Sequence, residues 1–430
     1  MGYIITPAEL RKYAATRLLP KGSDPSGLKE LKRANIKMMM TEDEFRQRNG
    51  LKQVIEQDFR RESIFIQDGN VHIPITRGFY RLKHYEDIVR HLNDQGLDID
   101  LKVEYYGGDP ESARARLDHF AKNLAEEIIS TGRNFDMIFI GPLRSSVDTF
   151  FGDHIYAQLG ISEKEFAETK EETILKLKRQ EDLLASRLNK PVKSIDDYLK
   201  DERIDPLVVS NLIHSEEYDL DARGIAASLG VERVSSDFLD YQIFEVNGKD
   251  CLGLNYVYGD QVFYLLKHFF NEYVEKDNME PLDVLMYGKV GALSDGAMRG
   301  DVIVPSGIVK GHEYFPMDAE LLLAFQRKSK ERYHIGGNVF AVDSVLDQTY
   351  EGLSDAQAKG CSLTEMEAYN VAKALSFCRK NIKGMPKIRF NFIGYASDVP
   401  LAGDTLADEL YDYSVIYEAL DEAAEIILER

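Results

Sequence analysis

The stretch that decides the fold is VLMYGKVGALSDGAMRGDVIVPSG, residues 284–307. It begins as an apolar strand, reaches a turn that contains Gly288 and Gly291, and ends in a second apolar run, DVIVPSGIV. Small residues in such a turn let a backbone approach a ligand closely, and a turn packed for structural reasons has the same pattern. The stretch therefore predicts a strand, a turn and a second strand.

Strands and helices alternate on both sides of this stretch, from about Ser236 onwards. We expect a hairpin from YQIFEVNG and KDCLGLNYVYG, a helix in QVFYLLKHFFNEYVEK, strands in GNVFAVDSV and KIRFNFIGYA, and helices over Leu363–Arg379 and Tyr413–Arg430. Such alternation predicts a three-layer α/β/α domain with a mixed sheet. In sheets of this kind, ligands bind beyond the carboxyl ends of the strands.

The first part of the chain predicts a separate α+β unit. SIFIQDG and NVHIPIT are short β-segments around a turn at Asp68–Gly69, and FYRLKHYEDIVRHLNDQG predicts a helix. A further helix should start at Asp109–Pro110, with Asp as the N-cap and Pro in the first helical position. The apolar run DMIFIG then predicts a buried strand.

The chain divides into three parts by composition. Residues 1–159 form the α+β N-terminal domain, which would regulate the protein or read a phosphate group, and residues 236–430 form the α/β domain. Residues 160–235 are strongly charged, and Ser162 with Glu165 makes a capping box for a long connecting helix. We expect that helix to be solvated, or to contact another subunit.

Charge and cysteine content exclude several function classes. The 430 residues include 53 basic and 73 acidic side chains, a net charge of −20, which disfavours nucleic-acid and membrane partners. Three cysteines without paired spacing, Cys251, Cys361 and Cys378, predict buried thiols rather than a disulfide framework or zinc site. Since we find no signal peptide or apolar transmembrane run, the expected location is the cytoplasm.

Two glutamates stand in the segment CSLTEMEAYNVAKAL. In a helix, Ser362 and Glu365 would form a capping box, which explains Glu365. The apolar stripe of that helix consists of Leu363, Met366, Val371, Ala374 and Leu375. Glu367 lies on the stripe, where an unpaired carboxylate is costly, so it should face a polar ligand, a cation or a buried ion-pair partner.

Asp398 is the second candidate acid. The apolar strand IRFNFIGYA runs directly into Ser397–Asp398, and Pro400 shapes the following loop. An acid at the carboxyl end of a strand can deliver a proton to a bound base, and an aspartate before a turn can equally be a turn former.

Taken in order, GKVGAL, GDVIVP, Glu365–Met366–Glu367 and Ser397–Asp398 resemble the motifs of the nucleoside phosphorylase and nucleosidase superfamily. The resemblance covers residues 241–430. Within that superfamily, SDVPLAGD is similar to a loop of the AMP nucleosidases, and IPITRGFYRL resembles an Ile-Thr-Arg segment of their N-terminal domain, at Arg77.

The resemblance implies roles for these positions. Asp398 would protonate the purine at N7, Glu367 would bind the ribose hydroxyls, and Met366 would pack under the sugar. Gly288 and Gly291 would line the sugar or nucleophile side. The substrate-binding set we expect consists of Glu367, Met366, Arg77, Gly288, Lys289, Gly291 and Ser397.

A phosphorylated substrate requires cations that a nucleoside does not. TRGFYRLKH concentrates Arg77, Arg81, Lys83 and His84 in an otherwise acidic chain, and bidentate arginine suits phosphate. A solvated basic helix face has the same sequence. Lys289, in the predicted turn, is a further candidate.

The resemblance implies hydrolysis of AMP or a close purine nucleotide to the base and ribose 5-phosphate, without metal or organic cofactor, in a homo-oligomer, commonly a hexamer. The glycine motifs depart from the superfamily pattern: GKVGA replaces its Gly-Ser/Thr-Ala/Cys-Gly-Gly turn, and Val399 follows Asp398. Two alternatives therefore stay open, an enzyme that cleaves unphosphorylated purine nucleosides by water or phosphate, and a non-catalytic nucleotide sensor.

Overall fold

The computed structural model describes residues 7–19, 23–49, 64–141, 232–234, 238–246, 249–255, 259–276, 280–327, 330–402 and 426. The predicted charged connecting helix and the predicted helix over Tyr413–Arg430 lie outside these residues, apart from the strand Glu232–Val234 and Ile426. Within the described ranges, no helix is long and apolar enough to cross a membrane.

Among the described residues, the first sheet contains four strands, two of which form the predicted hairpin. β1 (Arg33–Met38) lies between β3 (Asn70–Ile75) and β4 (Asp100–Tyr105) and is parallel to both. β2 (Phe65–Gln67) pairs with β3 in antiparallel orientation. The turn between them has left-handed backbone angles at Asp68 (φ 53°) and Gly69 (φ 79°), which suit a tight hairpin and confirm the predicted turn.

Where the structure describes this part of the chain, it contains the α-helices α1 (Pro7–Leu18), α2 (Glu42–Asn49), α3 (Phe79–Asp94) and α4 (Pro110–Ser130). The start of α4 is the predicted one, because the Asp109 carboxylate accepts a hydrogen bond from the Ser112 amide (2.8 Å). Its buried face is built from Ala113, Leu117, Ala121, Leu124, Ala125, Ile128 and Ile129.

The second sheet is mixed and contains twelve strands in the described ranges. Its core order is β12-β11-β14-β15-β9-β5-β8-β7-β6, while β16 pairs with β9 and β10, and β13 pairs with β10. The strands are β5 (Phe135–Gly141), β6 (Glu232–Val234), β7 (Asp240–Val246), β8 (Lys249–Asn255), β9 (Leu282–Ala292), β10 (Val302–Val304), β11 (Gly307–Lys310), β12 (Glu313–Pro316), β13 (Tyr333–Ile335), β14 (Asn338–Ala341), β15 (Cys361–Glu365) and β16 (Ile388–Asp398).

Within the described ranges, the α-helices beside the second sheet are α5 (Gln261–Glu275), α6 (Ala319–Arg327), α7 (Tyr350–Ala358) and α8 (Ala368–Asn381). The mixed α/β class is confirmed, as is the antiparallel pair of β7 and β8. The three-layer arrangement of a nucleoside-phosphorylase-like domain stays a prediction.

β5 belongs to the second sheet, although the sequence groups it with the N-terminal unit. It lies between β8 and β9 and is parallel to both. The reason is its composition, since a run as apolar as FDMIFIG is stable only where both faces are covered, as in a central parallel strand. The predicted boundaries at 159 and 235 fall outside the described residues and stay a prediction.

Contacts between α4 and α5 bring the earlier part of the chain against the second sheet. Lys267 of α5 forms an ion pair with Asp118 of α4 (2.8 Å). The buried Tyr273 hydroxyl, also on α5, donates a hydrogen bond to the carbonyl oxygen of Phe135 at the start of β5 (2.9 Å). On its other side α5 contacts α8.

Two local predictions around the candidate residues are wrong. Residues 361–365, predicted as the start of a helix, form β15, which pairs with β14 and β9. The helix begins only at Ala368, so the capping box of Ser362 and Glu365 does not form. Gly288 and Gly291 lie inside β9 rather than in a turn, because β16 continues to pair with β9 as far as Gly291.

Candidate active site

Three strands of the second sheet bring the candidate residues together. Gly291, near the end of β9, pairs with Thr364 of β15 on one side and with Asp398 of β16 on the other. Neighbouring strands are spaced about 4.8 Å apart, so the backbones of Thr364 and Asp398 are about 10 Å apart. The two acidic motifs recognised in the sequence therefore lie on opposite sides of one glycine.

Asp398 is the last residue of β16 and is 3% exposed. The neighbouring Ser397 hydroxyl donates to Asp398 Oδ1 (2.7 Å), and its oxygen also lies 3.2 Å from the carbonyl oxygen of Val290. Ser397 therefore fixes the orientation of the carboxyl group, and the chain turns away at Pro400. Gly403 and Asp404 of the SDVPLAGD loop lie outside the described residues.

Close packing requires a glycine at position 291, where β9 lies between β15 and β16. A Cβ atom there would lie 2.9 Å from Thr364 Cγ2, 3.3 Å from Pro400 Cγ and 3.4 Å from Asp398 Oδ2. The same atom on Gly288, three residues earlier in β9, would meet nothing within 4 Å. The two glycines that the sequence groups together therefore differ, since only Gly291 packs against the candidate acid.

This difference predicts different effects for two matched substitutions. Gly291→Ala should destabilise the fold by about 1–3 kcal/mol, because the extra methyl group overpacks against Thr364 and Pro400. Gly288→Ala should change the free energy of unfolding by less than about 1 kcal/mol. Urea unfolding of both variants measures the difference. Equal losses of unfolding free energy would mean that the surroundings of Gly291 are not tightly packed.

Glu365 ends β15 and is 5% exposed. Its Oε2 accepts hydrogen bonds from the amides of Glu367 (2.6 Å) and Ala368 (2.7 Å), so it caps α8 with its side chain. Its other oxygen, Oε1, is buried without a hydrogen-bond partner in the part of the chain that the structure describes. Capping of α8 therefore explains the position of Oε2, whereas Oε1 has no local structural role among the described residues.

Glu367 lies immediately before α8 rather than on the apolar stripe of a helix, which corrects the sequence interpretation. It is half-buried, as is Met366. Burial raises the pKa of the Glu365 carboxyl from 4.5 to about 7. Burial also raises the pKa of Glu367, the charge of Glu365 adds to the effect, the positive charge of Arg81 opposes it, and the resulting pKa is about 8.

These raised pKa values predict a stability that falls as the pH rises. Native Glu365 and Glu367 keep protons that the unfolded chain releases near pH 4.5. Their contribution is therefore fully present below pH 4.5 and is lost as the pH rises through about 7 and 8. The unfolding free energy of the wild type should fall between pH 5 and pH 8. In Glu367→Gln, which has no proton to release at this position, that fall should be smaller by about 1–3 kcal/mol.

Urea unfolding at pH 5, 6, 7 and 8 measures this slope. Glu351→Gln, which changes an exposed glutamate on α7, is the matched control and should keep the wild-type slope. If Glu367→Gln also keeps it, the Glu367 carboxyl does not hold its proton in the native protein.

The N-terminal basic cluster lies at the contact between the two sheets. Lys83 of α3 forms an ion pair with Asp347 (3.0 Å) in addition to its bond with Asp87, and His84 Nδ1 lies 3.5 Å from Ser344 Oγ. Arg81 lies close enough to Glu367 for its charge to lower the pKa of that carboxyl. The predicted phosphate-reading cluster is therefore largely engaged in contacts with the second sheet.

The remaining predicted residues are Arg77 and Lys289. Arg77 is half-buried in the bend between β3 and α3. Lys289 is exposed on β9, where it pairs with Tyr395 of β16. The substrate-binding roles of both residues stay predictions.

Sequence reasoning missed Lys310 and Asp260. The charge of Lys310 lowers the pKa of Glu365, and its Nζ lies 4.3 Å from the centre of the Tyr369 ring. No motif marks this lysine, which pairs with Asp343 and so appears in sequence as one of many surface charges. Asp260 precedes α5 and looks like the N-cap of that helix, whereas its carboxylate binds α3.

The three cysteines, Cys251, Cys361 and Cys378, are buried thiols, as predicted. In the described ranges, no group of three or more His, Cys, Asp or Glu side chains is arranged to hold a metal ion.

Comparisons with known proteins complete the description. No family model and no curated protein matches the sequence. Among solved structures, the chain is similar to a 5′-methylthioadenosine/S-adenosylhomocysteine nucleosidase from S. pneumoniae, with 14% identity over 47% of this chain and 92% of that chain, at a TM-score of 0.33.

Two further structures cover more of the chain. A futalosine hydrolase mutant from Helicobacter pylori has 10% identity over 68% of this chain and 96% of its own, at a TM-score of 0.36. A 5′-methylthioadenosine/S-adenosylhomocysteine nucleosidase from Campylobacter jejuni has 11% identity over 69% and 97%, at a TM-score of 0.35.

Proposed function

We propose that this chain hydrolyses the N-glycosidic bond of AMP or a related purine nucleotide, releasing the base and ribose 5-phosphate. The observation that carries the proposal is that Gly291 pairs on one side with Thr364, the residue before Glu365–Met366–Glu367, and on the other side with Asp398. β9 fills the space of about 10 Å between β15 and β16, so the substrate would lie over the carboxyl ends of β9 and β16, with the ribose towards Glu367 and the purine towards Asp398.

Asp398 is the group that acts on the base. In the reaction the bond between C1′ and N9 breaks, its electron pair passes to the purine, and Asp398 donates a proton to N7. The ribose carries positive charge until a water oxygen bonds to C1′ and releases its own proton, which restores the acid. The hydroxyl of Ser397 holds the Asp398 carboxyl in one orientation throughout.

Glu367 is the group that holds the sugar. Its half-buried carboxyl can accept hydrogen bonds from the 2′ and 3′ hydroxyls, and Met366 supplies an apolar surface beside them. The unpartnered Oε1 of Glu365 lies in the same segment. A buried carboxylate oxygen without a partner is costly, so a sugar hydroxyl would relieve that cost.

The N-terminal part of the chain supplies the cations that distinguish a nucleotide from a nucleoside. Arg77 precedes α3, and α3 itself carries Arg81 towards Glu367. A planar guanidinium binds a phosphate group through two hydrogen bonds, which a lysine cannot reproduce.

The test is a panel of purine nucleosides and nucleotides incubated with the pure protein, with and without phosphate. We expect AMP to be cleaved faster than adenosine, without need of phosphate. A preference for adenosine or inosine would replace the proposal with a nucleoside-cleaving enzyme, and a requirement for phosphate would make the reaction phosphorolysis. Binding of AMP without any product would make the chain a nucleotide sensor.

A further inference from the structure

The first turn of α3 has no N-cap of its own. The residue at its N-cap position is Gly78, which makes no side-chain capping bond. A helix start leaves several backbone amides without partners inside the helix, and these need an acceptor from elsewhere.

Asp260 of the second sheet's α5 segment supplies that acceptor. Its Oδ2 accepts from the amide of Phe79 (3.1 Å) and its Oδ1 from the amide of Tyr80 (3.3 Å), across 181 and 180 residues of chain. Asp260 stands immediately before α5, yet its side chain makes no capping bond to that helix. The carboxylate that looks like the cap of α5 therefore caps α3.

Gly78 is matched to this arrangement. Its φ of 97° is a backbone conformation that residues with side chains rarely adopt. A Cβ atom at this position would lie 2.2 Å from Asp260 Oδ1. A capping side chain at position 78 would therefore displace Asp260. The start of α3 is capped instead by a carboxylate from the part of the chain that belongs to the second sheet.

Burial and neighbouring groups act on the Asp260 carboxyl in opposite directions. Its pKa is raised by burial, and the bonds from the Phe79 and Tyr80 amides and the charge of Arg114 oppose the rise. Arg114 belongs to α4, and its guanidinium carbon lies 4.7 Å from the centre of the Phe79 ring. The charge of Asp260 in turn raises the pKa of the Tyr80 hydroxyl on α3 and of the Tyr264 hydroxyl on α5.

Beyond the cap, the first two turns of α3 contact the second sheet along their length. The Tyr80 hydroxyl lies 3.5 Å from Lys310 Nζ, Lys83 pairs with Asp347 (3.0 Å), and His84 lies 3.5 Å from Ser344. Arg81 stands in the middle of this fixed segment. Its position relative to Glu367 therefore depends on how α3 is held.

We propose that Asp260 is a positioning residue, which caps α3 from the second sheet and thereby holds Arg81 towards Glu367. The first turns of α3 then form one wall of the substrate site. The catalytic part of this inference rests on the proposed function, because it requires a nucleotide at Glu367. The docking of α3 does not.

The docking is tested first, by hydrogen exchange of the free protein. Asp260→Ala should speed amide exchange in residues 79–84 by about 5-fold or more, since an N-cap typically contributes that much to helix stability. Asp260→Asn, which keeps an acceptor oxygen, should recover part of the protection. Asp118→Ala, which removes the ion pair between α4 and α5, is the control and should leave exchange in residues 79–84 unchanged.

The positioning is tested with a double-mutant cycle on the KM for AMP. Asp260→Ala and Arg81→Ala should each raise KM about 5-fold or more with kcat changed less than 3-fold. The double variant should raise KM by less than the product of the two single effects, because once Arg81 is removed an undocked α3 can no longer misplace that arginine. Multiplicative effects on KM would overturn the positioning role.

The two measurements separate failure of this inference from failure of the proposed function. Unchanged amide exchange in Asp260→Ala overturns the capping of α3 by Asp260, whether or not AMP is cleaved. Faster exchange in a protein that cleaves no nucleotide supports the cap and rejects its catalytic consequence together with the proposed function.

Discussion

Asp398→Asn is expected to lower the turnover of AMP by at least about 100-fold while the fold and nucleotide binding are retained. The amide has almost the shape of the carboxyl, and its oxygen can still accept the bond from Ser397. It cannot, however, deliver a proton to N7, so the purine must leave as an unprotonated anion. The loss should appear in kcat, because the proton is transferred only as the bond breaks.

Asp283→Asn is the matched control for this prediction. Asp283 is a buried aspartate at the opposite end of β9, where it pairs with Arg389. Its substitution should lower stability and leave kcat of the folded protein within about 3-fold of the wild type. An Asp398→Asn variant with full turnover would remove Asp398 from the mechanism.

Arg77→Ala should raise the KM for AMP by about 10- to 150-fold and leave any weak cleavage of adenosine nearly unchanged. A charge-assisted bidentate contact to phosphate is worth about 1.5–3 kcal/mol, which corresponds to that range. The side chain starts at the bend before Gly78, which packs directly on Asp260, so it arises at the boundary between the two sheets.

Arg77→Lys should recover only part of the loss, because an ammonium group cannot reproduce the planar fork of arginine. Michaelis constants for AMP and adenosine, measured on the same preparations, give the comparison. If Arg77→Ala weakens both substrates equally, Arg77 supports the structure and does not read the phosphate.

Local chemistry made several parts of the fold predictable. Asp68–Gly69 has the sequence that a left-handed hairpin turn requires, and Asp109–Pro110 is a helix start that needs no tertiary contact. The apolar run that ends at Asp398 is long enough to indicate a buried strand. The position of Asp398 at a strand end therefore follows from the local pattern alone.

The other features of the fold and the site depend on contacts between residues that are far apart in the sequence. Residues 361–365 could belong to either a helix or a strand by composition, and pairing with β14 and β9 decides for the strand. Gly288 and Gly291 looked like a turn because glycine weakens strands, but the pairing of β9 with β16 extends through both. The bond from Asp260 to α3 spans 181 residues, a distance over which no periodic pattern gives information.

The central claim, hydrolysis of a purine nucleotide at its N-glycosidic bond, is tested most directly by identifying the products of AMP in oxygen-18-labelled water. We predict free adenine and ribose 5-phosphate with one labelled oxygen at C1′, formed by the wild-type protein and at least about 100-fold more slowly by Asp398→Asn. The same rate in both proteins would remove Asp398 from the mechanism. The absence of adenine from the wild-type reaction would contradict the claim.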